Sequence, residues 1–131
     1  MTAYLDLADY LLIAEAVTGI DAAVLAKASR IDLAESALNA PRAEFDGVEF
    51  YPEFVTKAAV LCARLAWNHP LPDGNKRAAW VSLREFCARN GYRLTARSVD
   101  DAVLTVEALA AHNIDEAQLA TWIEDRLRRE D

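Results

Sequence analysis

The residues whose chemistry could serve catalysis are concentrated in one segment, His-Pro-Leu-Pro-Asp-Gly-Asn-Lys-Arg, which begins at His69 and separates two apolar helical patterns. His69 can take a proton from an attacking hydroxyl, a role worth roughly 10²–10⁴ in rate. Asp73 can offer an oxygen to Mg²⁺, which usually keeps only one or two protein carboxylates beside nucleotide phosphates. Pro70 and Pro72 disfavour helical geometry in the preceding residues, so we expect His69 and Leu71 to be extended.

The second half of the segment has the features of a phosphate site. Gly74 lets the backbone approach a ligand closely, and a helix with Asn75 as its N-cap would aim unpaired N–H groups at the loop. Lys76 and Arg77 then fall in the first helical turn, where the helix dipole makes cations unfavourable unless an anion is bound. The placement therefore favours a phosphate ligand.

An ordinary structural interpretation of the same residues is equally open on physical grounds. In it, His69 packs on Trp67, Asp73-Gly74 forms a turn, and Asn75 serves only as a helix cap. Asp-Gly-Asn is common turn chemistry. The residues alone leave both interpretations standing.

Apolar residues recur at helical spacing through almost the whole chain, which predicts a single all-α domain over residues 1–131 with about six to seven helices. Gly19 is expected to end the first helix, Asp32 with Glu35 to open a short one as a capping box, and Pro52 to occupy a first helical position. Predicted helices cover residues 5–17, a shorter stretch from 21, residues 32–38, 52–67 and 75–89, and stretches that start at 98 and 115, before a charged end over residues 124–131.

A small β-hairpin is predicted between the third and fourth helices. An Asp-Gly pair flanked by apolar residues is a signal for a two-residue hairpin turn. This hairpin is called the flap below. The residues concerned are Phe45, Asp46, Gly47, Val48 and Phe50.

Composition excludes several classes of protein. The formal net charge is −7, which disfavours a general nucleic-acid binder. The sequence shows neither a leader nor a run apolar enough for a membrane helix, so we expect a cytoplasmic protein with no membrane partner. Cys62 and Cys87 lie in apolar helical patterns and are expected to be reduced core residues, with no zinc site. His112 is expected at a helix C-terminus, interacting with the dipole.

The segment resembles the signature of the Fic/Doc family, in which the Doc branch has Lys where the Fic branch has a second Gly. Flanking features agree as well: the Glu-Ser-Ala-Leu stretch at 35–38, the flap, and Asn90-Gly91-Tyr92 after the helix. The resemblance spans nearly the whole chain and implies a Fic/Doc-like helical bundle. The residues that match the Doc form are His69, Asp73, Gly74, Asn75, Lys76 and Arg77.

Three departures bear on what the resemblance implies. Leu71 replaces a Phe that anchors the loop in the core, while Trp80 replaces the second Arg of Fic adenylyltransferases. Together with Lys76 in place of Gly, Trp80 argues against AMP transfer. No Ser or Thr stands four residues before any Glu, so the inhibitory helix of self-restrained Fic proteins is absent. Restraint is therefore expected from another chain.

The resemblance implies a toxin of a toxin–antitoxin pair that transfers the γ-phosphate of ATP to a hydroxyl of elongation factor Tu and is silenced by a Phd-like antitoxin segment. By the same resemblance, His69 is the general base, Asp73 holds Mg²⁺, and residues 74–77 bind the phosphates. The resemblance also implies that the flap holds a target segment by edge pairing; equally, its aromatic residues would pack on the helices. A Fic-type adenylyltransferase and a catalytically inactive antitoxin-binding module are the alternatives. Trp67 and Trp80 are expected to line the core or the cleft.

Overall fold

The computed structural model describes residues 1–130 and shows seven α-helices and four short strands in that range. The predicted helical bundle and its flap are confirmed. The elements are α1 (Leu7–Thr18), α2 (Ala22–Ala28), α3 (Ile31–Asn39), a 3₁₀ turn (Ala40–Arg42), β1 (Glu44–Phe45), β2 (Val48–Glu49), α4 (Phe54–Asn68), α5 (Asn75–Arg89), β3 (Tyr92–Leu94), α6 (Val99–Ala110), α7 (Glu116–Glu124) and β4 (Leu127–Arg129).

Helix α4 forms the centre of the bundle and packs against α3, α5 and α7. Small and apolar side chains fill its middle, and residues 57–63, 65 and 66 are all buried. Cys62 on α4 and Cys87 on α5 are free and buried, and burial raises the pKa of each thiol to about 12. Both are therefore unreactive core residues, as expected.

Capping chemistry sets most helix boundaries. Gly19 ends α1 in the left-handed conformation, with φ 75°. Ser98 caps α6 by accepting from the Asp101 amide, and Asp115 forms a capping box with Gln118 at the start of α7. These boundaries agree with the sequence predictions.

Two predicted helix starts are wrong. Helix α3 begins at Ile31 with Arg30 in the cap position, so Asp32 lies inside the first turn instead of capping it. The Arg30 amide donates to the Pro70 carbonyl at 2.8 Å, and this tertiary bond fixes the chain two residues before Asp32, where the capping box would begin. Helix α4 begins at Phe54 after Glu53, which places Pro52 outside the helix.

The flap pairs Phe45 with Val48 in an antiparallel register around the predicted Asp-Gly turn. Asp46 and Gly47 have φ angles of 54° and 78°, the two positive values that a type I′ turn requires. The apolar flap side chains are exposed, and Phe45 reaches 75% exposure. The interpretation in which the aromatic residues of the hairpin pack on the helices is wrong for Phe45 and for Phe50, which is 60% exposed.

A second antiparallel pair, which the sequence patterns do not reveal, joins β3 to β4. The charged end predicted over residues 124–131 therefore leaves α7 at Glu124 and returns as a strand beside Tyr92; its last residue, Asp131, lies outside the described residues. Within residues 1–130, no helix combines the length and apolarity needed to cross a membrane.

Candidate active site

An open cleft of about 1190 Å³ runs between the end of α1, the loop before α5 and the face of α6. All the motif residues singled out in the sequence line it together. They are His69, Asp73, Gly74, Asn75, Lys76 and Arg77.

His69 follows the last residue of α4 and is exposed to solvent in the cleft. Its φ of 48° and ψ of 55° are left-handed, so the expectation of an extended residue is wrong. A left-handed residue is the usual way for a chain to leave a helix, and here that ending outweighs the preference imposed by Pro70. The imidazole is thus accessible for proton transfer.

The interpretation in which His69 packs on Trp67 does not hold. The Trp67 ring stacks on His112, with centroids 4.8 Å apart, and its Nε1 donates to the Leu109 carbonyl at 2.7 Å. His112 follows the C-terminal end of α6, as predicted, with φ 61°. Of the two histidines, only His69 lines the cleft.

The buried Leu71 side chain and the Asn75 side-chain amide brace the motif loop. Leu71 is only 4% exposed, so it fills the anchoring position that the family gives to Phe. The Asn75 side chain accepts from the Leu71 amide and donates to the Leu71 carbonyl, both at 2.9 Å. Asn75 is therefore a brace at the first helical position, and the prediction that it is the N-cap is wrong because Gly74 occupies that place.

The start of α5 presents a concentration of donors and positive charge. Gly74 has φ 79°, and Ala78 is the first residue of α5 whose amide donates to a helical acceptor, the Gly74 carbonyl at 2.9 Å. The amides before it are the ones that a helix leaves unsatisfied. Lys76 and Arg77 are exposed, and neither has a carboxylate within salt-bridge distance in residues 1–130. An anion would complete this site.

Asp73 is the only acidic member of the loop and is exposed in the cleft. The described part of the chain contains no group of three His, Cys, Asp or Glu side chains that could hold a metal. A single carboxylate suits Mg²⁺ that is shared with nucleotide phosphates and keeps its waters, rather than a cation held by protein alone. The donor set therefore fits Mg²⁺ that arrives with a nucleotide.

The cleft also contains residues that the sequence did not single out as functional. Arg84 lines it two turns beyond Arg77, again without an acidic partner in residues 1–130. Positions 77, 80 and 84 follow helical spacing, which was the available signal. Trp80 lines the cleft as expected, and Trp67 packs against the core. The remaining wall is mostly apolar and includes Val17, Ile20, Val99, Val103 and Val106.

The flap residues are not brought to this cleft. None of Phe45, Asp46, Gly47, Val48 and Phe50 lines it. The base of the flap is held instead by α4, where the buried Lys57 Nζ lies 2.8 Å from the Glu49 carboxylate. A target-binding role for the flap stays a prediction.

Two comparisons with known proteins bear on this site. Residues 4–87, which include the motif loop and the flap, match the model of the Fic/DOC family. A curated relative called "Toxin Doc", from Mycolicibacterium smegmatis (strain ATCC 700084 / mc(2)155), is 37% identical over 116 residues, which cover 88% of this chain and 86% of the relative. No solved structure matches the chain significantly.

Proposed function

The chain belongs to the Fic/DOC family, and on that premise we propose that it is a Doc-like toxin that transfers the γ-phosphate of ATP to a hydroxyl of a translation factor, elongation factor Tu. The observation that carries the proposal is the position of an exposed His69 beside the unpaired donors and cations of residues 74–77. A proton acceptor and a polyphosphate cradle share one cleft. A toxin that arrests translation would act in the cytoplasm.

Each residue has a chemical task in this proposal. His69 accepts the proton of the attacking hydroxyl, while the amides at the start of α5 and the charges of Lys76 and Arg77 stabilise the negative charge on the phosphoryl group. Phosphoryl transfer depends mainly on positioning and charge neutralisation, so one braced loop can supply most of what is needed. Asp73 would hold Mg²⁺, which would add charge neutralisation between the phosphates.

Transfer of the γ-phosphate is favoured over transfer of AMP by two departures from the Fic signature. Lys76 replaces a Gly, and Trp80 replaces the second Arg of adenylyltransferases. The cleft therefore has a bulky aromatic residue where that branch contacts phosphate. We place the γ-phosphate next to His69 on this ground.

Labelling of purified elongation factor Tu tests the proposal. With Mg²⁺ and γ-labelled ATP, the wild-type protein should label the factor, and His69→Ala should lose at least 100-fold, about the lower limit for loss of a general base. His112→Asn is the matched control, because it removes the other histidine at a left-handed position that Asn tolerates. It should keep wild-type labelling.

Each alternative function predicts a different result in the same assay. Label from α-labelled ATP would identify an adenylyltransferase and overturn the kinase proposal. A protein that binds antitoxin but labels nothing with either nucleotide would be the inactive module. Equal labelling by wild type and His69→Ala would remove the assigned role of His69.

An antitoxin segment is the proposed partner, and the apolar wall of the cleft supports it. Val99 on α6 is 80% exposed, Val103 is 46% exposed, and Ile20 across the cleft is 39% exposed. Such a wall suits an amphipathic inhibitory helix placed beside the motif loop. Bound there, it would restrain a protein whose sequence offers no inhibitory helix of its own.

Co-elution with the product of the adjacent reading frame tests the partner. Wild-type protein should elute with it in gel filtration at micromolar concentration, and Val103→Asp should not. Leu12→Asp is the control, because Leu12 is 60% exposed but does not line the cleft. Separate elution of the wild-type protein, or equal loss for both variants, would count against the partner or its position.

A further inference from the structure

One partly buried aromatic residue of the cleft has no role in the chemistry described so far. Trp80 lies on α5 five residues after Asn75, which puts it about 7.5 Å further along the helix axis at 1.5 Å per residue. Arg77 and Arg84 lie three residues before it and four after it, so all three residues share one helix face. All three line the cleft.

The Trp80 indole is supported from behind by a second aromatic residue. Its ring contacts Trp122 of α7 edge to face, with centroids 6.0 Å apart and planes at 69°. Trp122 is itself fixed, because its Nε1 donates to the Asp101 carboxylate at 3.1 Å and the Arg126 guanidinium lies 4.2 Å from its ring centroid. Trp80 is thus a rigid aromatic surface that needs little reordering on binding.

The surroundings of Trp80 favour a ligand that is both flat and anionic. Arg77 and Arg84 have no acidic partner in the described residues, and the apolar side chains of Val99 and Val103 also line the cleft. An aromatic ring stacks favourably on any nucleobase. A peptide helix on the apolar wall would leave the guanidinium groups of Arg77 and Arg84 unpaired. A nucleotide satisfies both features at once.

We propose that Trp80 is the platform on which the purine ring of the bound nucleoside triphosphate stacks, with its phosphates extending back along α5 toward His69. This inference rests on the proposed function, because it takes the terminal phosphate to lie at the start of α5. In this proposal Trp80, which replaces an Arg of the Fic signature, orients the nucleotide. Trp80 is a binding residue in this assignment and takes no part in proton transfer.

Tryptophan fluorescence reports binding directly, without any acceptor protein. The chain has three tryptophans, and titration with Mg²⁺–ATP under selective tryptophan excitation should quench the wild-type signal. Trp80→Phe should lose that quenching, whereas Trp67→Phe should keep it because Trp67 is stacked on His112 away from the cleft. Quenching that survives in Trp80→Phe would overturn the proposal.

Inorganic tripolyphosphate separates stacking from charge. Trp80→Ala should weaken ATP binding about tenfold or more, as expected for loss of one stacked base, but leave the affinity for tripolyphosphate within twofold. Equal weakening of both ligands, or of neither, would show that Trp80 does not bind the base. Circular dichroism of each variant verifies folding, and Trp80→Phe should recover much of the ATP affinity.

The same titration distinguishes failure of this inference from failure of the proposed function. If the wild-type protein binds ATP and Trp80→Ala binds it with the same affinity, the stacking platform is refuted but the proposal of phosphoryl transfer is not. Wild-type protein that binds neither ATP nor tripolyphosphate would refute both. If the protein binds no nucleotide and Trp80→Ala weakens binding of the antitoxin, Trp80 belongs to the protein interface instead.

Discussion

At the start of α5, Gly74 adopts a φ of 79°, and a Cβ built on it would lie 3.2 Å from Thr18 Cγ2 and 3.5 Å from Val17 Cγ1. Gly91 has almost the same φ, 83°, but no heavy atom within 4 Å of the equivalent position. An added side chain would therefore meet α1 at Gly74 but open space at Gly91, although the backbone φ is nearly the same. Because α1 packs closely against the motif loop, position 74 leaves little room for any side chain larger than that of glycine.

We expect Gly74→Ala to impair both stability and labelling, and Gly91→Ala to impair stability alone. Each substitution places an L side chain in the left-handed region, at a cost of about 1–2 kcal/mol. In Gly74→Ala the new methyl group also pushes against Thr18 and shifts the amides that precede Ala78. Thermal unfolding and γ-phosphate labelling measure the two effects, and equal labelling by both variants would contradict this role.

The candidate site could be located from the sequence, but its local geometry could not. Grouping His69, Asp73 and Lys76 in one segment needed only neighbouring residue types. The left-handed backbone of His69 and the bracing role of Asn75 depend on how α4 ends and where Leu71 is buried. Both features depend on tertiary packing, which capping rules for isolated helices do not take into account.

The flap is joined to α4 by an ion pair, in which the lysine is buried and the glutamate is 44% exposed. Lys57 is 3% exposed, and its Nζ lies 2.8 Å from Glu49 Oε1 and 3.5 Å from the Pro41 carbonyl. Burial lowers the pKa of Lys57, but hydrogen bonding and charge attraction from Glu49 and Tyr4 outweigh it, and the net pKa is raised. The ammonium group therefore stays charged and ties β2 to α4.

Glu49→Gln should loosen the flap without disturbing the cleft. The substitution removes the carboxylate from a buried ammonium group, which should speed amide hydrogen exchange over residues 44–49 and raise the KM for the protein target more than that for ATP. Glu44→Gln is the matched control, because Glu44 is the cross-strand partner of Glu49 and has no ion-pair partner in residues 1–130. Equal exchange rates in both variants would show that the ion pair does not hold the flap.

Among the elements, the features that depend on residues close together in the sequence were predicted correctly. The Asp-Gly turn and the caps at Ser98 and Asp115 require only neighbouring residues, and they are confirmed. The β3–β4 pair joins Tyr92 to Arg129, which are 37 residues apart in the sequence, so no local pattern predicts it. Its strands have three residues each, too few for an alternating pattern to stand out.

Across the whole molecule, charge is distributed unevenly. The chain carries a net charge of −7, yet Lys76, Arg77 and Arg84 lie in the cleft without acidic partners in the described residues. Four arginines outside the cleft are paired with carboxylates, as Arg64 is with Glu116 and Arg126 with Asp101. Three such cations on one helix, in a cleft that also contains Asp73 and Glu107 and where they lack these partners, favour a compact anion such as a nucleotide over an extended nucleic acid.

The Asp101–Arg126 pair joins the start of α6 to the segment between α7 and β4. Asp101 accepts from Arg126 through both carboxylate oxygens, at 2.7 and 3.1 Å, from the Arg97 amide at 2.9 Å and from Trp122 Nε1. The Arg126 hydrogen bonds, followed by that of the Arg97 amide, lower the pKa of Asp101 from 3.8 to about 2. The carboxylate therefore favours the folded state only while it is ionised.

Because the folded-state pKa of Asp101 is depressed, its stabilisation is fully present above about pH 4 and is lost as the pH falls toward 2. Asp101→Asn should have a lower Tm than wild type at pH 7, and the difference should shrink between pH 4 and pH 2. Asp100→Asn removes a charge from the same helical turn and should give a small difference that changes little over this window. Circular dichroism melts at several pH values measure both, and a gap for Asp101→Asn that is the same at pH 7 and pH 2 would show that this carboxylate does not link the C-terminal elements to α6.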